Sequence, residues 1–182
     1  MKRLRNWLLF LLVVLVWGSN WAVMKRGLSY IGPLNFVFHR FILSALFLSP
    51  LLIFLRRKIP NDKETLVKLL FLGTINVFSM VSTNIGLVYE KSGISAILTY
   101  TQPLFVFCLA VPFLNKEARV TRLLGVTVGF SGVVVLSIRK LSSFESFSFS
   151  IFLLIIGAFL WAVTIVYYKK LLGHVDPVVT NI

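Results

Sequence analysis

Long uncharged stretches alternate with short charged ones along the whole chain. Residues 6–24, 69–89, 92–115 and 146–168 contain no Asp, Glu, Lys or Arg, and 123–138 is a shorter run of the same kind. A helix needs about 20 apolar residues to cross the hydrocarbon core of a bilayer. The run at 123–138 reaches that length once Thr121 and Arg122 are added, the arginine snorkelling to the headgroups. One further stretch, 34–55, is apolar except for His39 and Arg40 near its start. Open sheet edges are not tolerated in lipid, so the pattern predicts an all-α integral membrane protein of about six transmembrane helices.

Composition removes the soluble alternatives. The 182 residues are 58% hydrophobic and 14% charged, with a mean hydropathy of +0.90. A soluble domain carries roughly 25% charged residues, and here 17 Phe and 4 Trp would have no aqueous place to go. The formal net charge of +13 does not point to nucleic acid, because the basic residues cluster at span ends instead of on one face. With the amino terminus cytoplasmic, thirteen of the 19 Lys and Arg fall inside, from Lys2, Arg3 and Arg5 through the groups at 56–68 and 116–122 to Lys169 and Lys170. That asymmetry follows the positive-inside rule and predicts a multi-pass protein of the plasma or inner membrane. The start MKRLR is not read as a signal peptide, because the following run is long, bounded by Trp17 and Trp21, and lacks a small-residue cleavage site. Cys108 is the single cysteine, so neither a disulfide framework nor a zinc site is expected.

Two stretches share one punctuation. VWGSNWAVMKRGLSYIGP occupies 16–33 and LWAVTIVYYKKLLGHVDP occupies 160–177. Trp17 and Trp161, Lys25 and Lys169, Leu28 and Leu172, and Pro33 and Pro177 all stand at one offset, 161 − 17 = 144 residues. That interval carries five crossings, so the second copy enters the membrane from the opposite face. Inverted repeats of this kind underlie many secondary transporters. The expected organisation is a five-helix repeat over 1–140, followed over 145–182 by the first helix of an inverted, incomplete second repeat. On that reading the chain is a fragment.

The residues then resemble a family, the EamA-type transporters of the drug/metabolite transporter superfamily. The resemblance rests on WGSNWAVMKRGL followed by PLNFVFHRF, and on LVYEKSGISAILTYTQPLFVFCLAVPFLNKEARVTRLLGVTVGFSGVVVL. The second stretch carries a small-residue loop at Ser92-Gly93, a proline at Pro103, an acidic residue at Glu117, and glycines at Gly125, Gly129 and Gly132. It implies a ten-helix carrier of two five-helix halves with a substrate cavity between them. Such a carrier is a secondary active exporter or permease of small metabolites, such as amino acids or related amphiphiles, working by alternating access. A non-catalytic membrane assembly or regulatory subunit is the alternative.

Several residues are candidates for the substrate pathway. A charge within a span costs about 2.5–3.5 kcal/mol on insertion scales and faces a watery cavity, a partner or, by snorkelling, the headgroups; Arg40 is such a charge, and His39 beside it is the residue type that a proton-coupled carrier would use. Asn76, Ser79, Thr83, Gly86 and Glu90 follow a 3,4,3,4 spacing that puts them on one helical face. Ser92, Ser95, Thr99 and Gln102 form a second such face. Either stripe can line a hydrated path or serve as helix-packing glue. Trp17, Asn20, Tyr89 and Trp161 complete the pathway candidates, the aromatic residues alternatively forming the interfacial belt. Pro103 removes a helical hydrogen bond and is a hinge candidate. Gly125, Gly129 and Gly132 suit close helix packing, including a homodimer seam. No P-loop, H-E-x-x-H or Ser-His-Asp pattern is present, so the chain is not expected to be an enzyme or to hold a metal or cofactor.

Overall fold

The computed structural model describes residues 2–55, 60–114, 124–129, 131, 132, 135 and 149–180. All regular structure among them is helical. α1 spans Lys2–Gly27 and α2 spans Pro33–Phe54, with Pro33 at the first helical position, where its missing N–H costs nothing. α3 runs over Lys63–Tyr89. Asp62 caps its start, accepting the Thr65 backbone N–H at 2.8 Å; hydrogen bonding by the Thr65 side chain first, and by this backbone N–H second, holds the Asp62 carboxyl below the usual carboxylate range.

The apolar stretch after Glu90 does not form the single helix that its length predicts. α4 covers Ser92–Thr99 and α5 covers Gln102–Phe113, with Tyr100 and Thr101 between them. The reason is Pro103, which sits in the first turn of α5. Lacking an N–H, it cannot bond the carbonyl four residues back, and its ring clashes there. The chain answers by tightening: Thr101 N–H donates to the Leu98 carbonyl and Leu104 N–H to the Thr101 carbonyl, both three residues apart. The Thr101 hydroxyl also donates to the Leu98 carbonyl at 2.7 Å.

Positions 124–129, 131, 132 and 135 are helical; the remainder of the fifth expected span, and Glu117, lie outside the described residues. α6 covers Phe149–Tyr167, passes into a π-helical turn at Tyr168–Leu172, and is followed by the short α7, Pro177–Thr180. Among the described residues four helical stretches are long and apolar enough to cross a membrane: Leu4–Gly27, Lys63–Tyr89, Ser92–Phe113 and Phe149–Leu172.

The centre of the molecule is the seam between α3 and α6, which small residues on both helices bring close. Gly157 lies against Thr83 and the Ser79 backbone, and Gly86 lies against Leu154 and the Ser150 carbonyl. The Ser79 hydroxyl crosses the seam to donate to the Gly157 carbonyl at 2.8 Å. Around this pair, α5 packs on α6 through an edge-to-face contact of Phe105 and Phe159, 5.6 Å between centroids. α2 flanks α3, and α1 touches α3 and α4 near its carboxyl end.

Two apolar clusters mark the two ends of α3. Met24 and Leu28 of the α1 end pack on Leu87. Leu172 and Val175, past α6, pack on Leu72. The carboxyl ends of α1 and α6 therefore meet opposite ends of α3.

Candidate functional site

The polar side chains that sequence analysis scattered over four helices gather at one end of the bundle. This end holds the carboxyl ends of α1 and α3 and the amino ends of α2, α4 and α6. Lys25 is its anchor. Its ammonium group donates to the Leu87 carbonyl at 2.7 Å and the Val88 carbonyl at 2.6 Å, carbonyls near a helix carboxyl end, where a cation is favoured by the macrodipole. Two residues on, the Glu90 side chain is buried and accepts the Ser150 hydroxyl at 3.0 Å. The end of α3 is thus tied to α1 by Lys25 and to α6 by Glu90.

Arg40 lies seven residues into α2, about 10 Å along the axis at 1.5 Å per residue. Its guanidinium reaches back to donate to the Met24 sulfur at 3.3 Å. The Asn20 amide donates to the same sulfur at 3.1 Å. Among the described residues no carboxyl group pairs with Arg40. Two good donors are therefore held on a thioether, which is a weak acceptor. Next to them Trp21 meets Tyr100 edge to face, 6.3 Å between centroids.

Four buried oxygens on α3 and α4 have no protein partner: Thr83 Oγ1, which lies against Gly157 in the α3–α6 seam, Asn84 Oδ1, Ser95 Oγ and Thr99 Oγ1. They line the inner faces of α3 and α4. Unsatisfied polar atoms in such a place call for water or a ligand.

The structure separates the remaining candidates. Ser79 and Thr83 stand in the α3–α6 seam, and Asn76 is half-buried on the same helix. His39 is exposed, its ring Nδ1 2.7 Å from the Asn35 carbonyl of its own helix. Trp17 and Tyr89 are also exposed, whereas Trp161 and Gln102 are half-buried. Pro103 lines an apolar hollow of about 490 Å³ with Leu104, Phe107, Gly125 and Gly129. Gly129 lies in contact range of Leu104, while Gly125 and Gly132 face open space. Sequence reasoning missed the part of Met24, because nothing in an apolar residue at a helix end announces an acceptor for two donors. It also missed the partners of Lys25, which are main-chain carbonyls and carry no signature of side-chain type.

Residues 5–138 match the EamA-like transporter family. The chain belongs to that family. It is a multi-pass membrane protein. An uncharacterized transporter of Bacillus subtilis, YoaV, is 27% identical over 171 residues, covering 93% of this chain and 59% of the relative. An uncharacterized transporter of Archaeoglobus fulgidus is 32% identical over 178 residues, covering 93% and 59%. A protein of Escherichia coli named "Probable amino-acid metabolite efflux pump" is 28% identical over 171 residues, covering 93% and 55%. The chain spans between 40% and 61% of the length of the first relatives it matches. No solved structure matches it significantly.

Proposed function

We propose that this chain forms the first half, and the start of the second, of a secondary active carrier that moves small carboxylate-bearing metabolites such as amino acids across the plasma or inner membrane. The observation that carries the reading is the pairing of Arg40 and Asn20 on the Met24 sulfur. A charge-assisted bond to a carboxylate is worth roughly twice a neutral one, so a substrate carboxylate displaces the thioether without opening any ion pair. The ring pair of Trp21 and Tyr100 supplies an apolar wall beside it, and the unpartnered oxygens of Asn84, Ser95 and Thr99 supply further polar contacts.

The inverted repeat gives this site its cycle. Trp17, Lys25, Leu28 and Pro33 recur 144 residues later, and the meeting of the carboxyl ends of α1 and α6 with opposite ends of α3 suits two inverted halves that rock against each other. Thirteen of the 19 basic residues fall on the amino-terminal side of the membrane, which supports a cytoplasmic amino terminus. The likeness to a named amino-acid metabolite efflux pump supports the substrate class and an exporting direction. Any uphill work draws on an ion or substrate gradient, since the chain has no P-loop.

The test is uptake of labelled amino acids into proteoliposomes holding the full-length protein. Arg40→Ala, inserted in the membrane at normal level, is expected to lose uptake, and Arg40→Lys to retain part of it. Undiminished uptake by Arg40→Ala would sink the assignment of Arg40 to the substrate.

A further inference from the structure

α1 and α6 carry the same sequence punctuation, yet they are covered very differently. Within their apolar windows, 6% of the α1 span is buried against 39% of the α6 span. Leu154, Ala158 and Ala162 of α6 are each 0% exposed, forming the face that meets the rest of the bundle. Their counterparts 144 residues earlier are Phe10, Val14 and Gly18. Phe10 is 58% exposed, Val14 is 49% exposed, and a Cβ placed on Gly18 meets nothing within 4 Å. At the carboxyl ends the two copies agree again, because Leu28 and Leu172 are both buried against α3. α1 is exposed on every face from Leu4 to Ser19, and the positions that answer the buried face of α6 are among them.

We propose that the Phe10–Val14–Gly18 face of α1 is the seat of a helix from the second half of the full-length carrier, the counterpart of α3. The reasoning is symmetry. α6 opens the second repeat but lies on α3 of the first, so the two halves exchange their first helices. The exchange is complete only when α1 lies in the same way on the α3-like helix of the second half. The relatives are long enough to hold one, since this chain spans about three-fifths of their length. The occupant is a helix with a stripe of small and polar residues, because the α6 face it mirrors accepts Ser79, Thr83 and Gly86. Gly18 is the point of closest approach, as an uncovered glycine lets a second backbone near. A second copy of the chain does not fit the seat, for its own α3 already carries its own α6 along that stripe. This inference rests on the inverted repeat of the proposed function and adds to it which surfaces of the two halves touch.

The test places p-benzoylphenylalanine at Trp17 or, separately, at Phe10 of the full-length protein in native membranes, with the same probe at Trp161 as reference. After illumination the crosslinked peptides are identified by mass spectrometry. The Trp161 probe is expected to capture a helix of the first half. The Trp17 and Phe10 probes are expected to capture a segment beyond Ile182, about 144 residues past α3. Capture of lipid alone, a crosslinked dimer of two copies, or a gene product with no such segment overturns the inference. Topology reporters fused on either side of α1 and α6 read the repeat independently. Opposite orientations with only lipid captured at α1 reject the helix exchange and leave the repeat standing; equal orientations reject the repeat itself.

Discussion

Gly157→Ala tests the α3–α6 seam most sharply, because a single methyl group is expected to do opposite things at two glycines. The Cβ added at Gly157 falls onto the Thr83 hydroxyl, 3.1 Å from the Ser79 carbonyl and 3.2 Å from the Thr83 backbone nitrogen. Two of these three are main chain and cannot rotate away, so the helices must part. Overpacking of this kind costs about 1–3 kcal/mol. Parting also weakens the bond from Ser79 to the Gly157 carbonyl, worth about 0.6 kcal/mol inside a membrane bundle. Against this, replacing glycine in a helix gains about 1 kcal/mol of propensity. The balance is a loss of about 2 kcal/mol. At about 2–4 °C per kcal/mol for a chain of this size, the midpoint of thermal unfolding in detergent should fall by about 4–8 °C. Gly73 in α3 is the control, since a Cβ there meets nothing within 4 Å; Gly73→Ala keeps the propensity gain alone and should raise the midpoint. Size-exclusion recovery after graded heating reads both. Should Gly157→Ala unfold at or above the parent temperature, the seam is not packed as described and the argument fails.

The other predictions concern the ends of α3. Lys25→Met leaves the Leu87 and Val88 carbonyls without their cation and should cost about 2 kcal/mol, the scale of bonds to charged groups; partial recovery in Lys25→Arg, read by the same heating assay, separates charge from bulk. Gly86→Ala drives a Cβ to 2.8 Å from the Ser150 carbonyl and should lower the midpoint like Gly157→Ala, whereas an unchanged midpoint would place the Glu90–Ser150 tie elsewhere. Asp62 is a pH reporter. Its carboxyl is held below the usual range by the bonds from Thr65, so its stabilisation is present above the unfolded carboxylate pKa and is lost as pH falls through the lower folded value. The excess stability of the parent over Asp62→Asn should therefore vanish on acidification below that range, and a constant difference at all pH values would refute it.

Much of this architecture is legible in the sequence because membrane helices need only length and apolarity. The uncharged run 6–24 became α1, the stretch 34–55 became α2, and the run ending at Tyr89 became the end of α3. The stripe Ser79, Thr83, Gly86, Glu90 was visible as one face. Its neighbour was not, since small polar residues suit a wet path and a tight seam equally. The glycine on the opposing helix decides between them at Ser79 and Thr83, and only three dimensions bring Gly157 there. Pro103 marked a weak point correctly, but which residues open the helix depends on where neighbouring carbonyls find donors. Arg40 was legible as an anomaly, whereas the sulfur it finds is chemically too quiet to be read in advance.

The π-helical turn at Tyr168–Leu172 has a consequence for how the two copies can be compared. Widening one circuit of a helix slips an extra residue into it and shifts the phase of the side chains within it by up to about 100°, the angle of one α-helical residue. α1 ends without such a turn. Lys25 and Lys169 thus occupy the same place in the count but not on the compass: the first points into the bundle and grips two carbonyls, and the second is exposed. The next lysine, Lys170, sits over the Phe113 ring at 5.3 Å. Two stretches can share one spelling while a phase slip in one of them gives matching residues different grips. A residue exchanged between Lys25 and Lys169 would arrive at the right height with different surroundings, although Leu28 and Leu172, three residues on, both pack on α3.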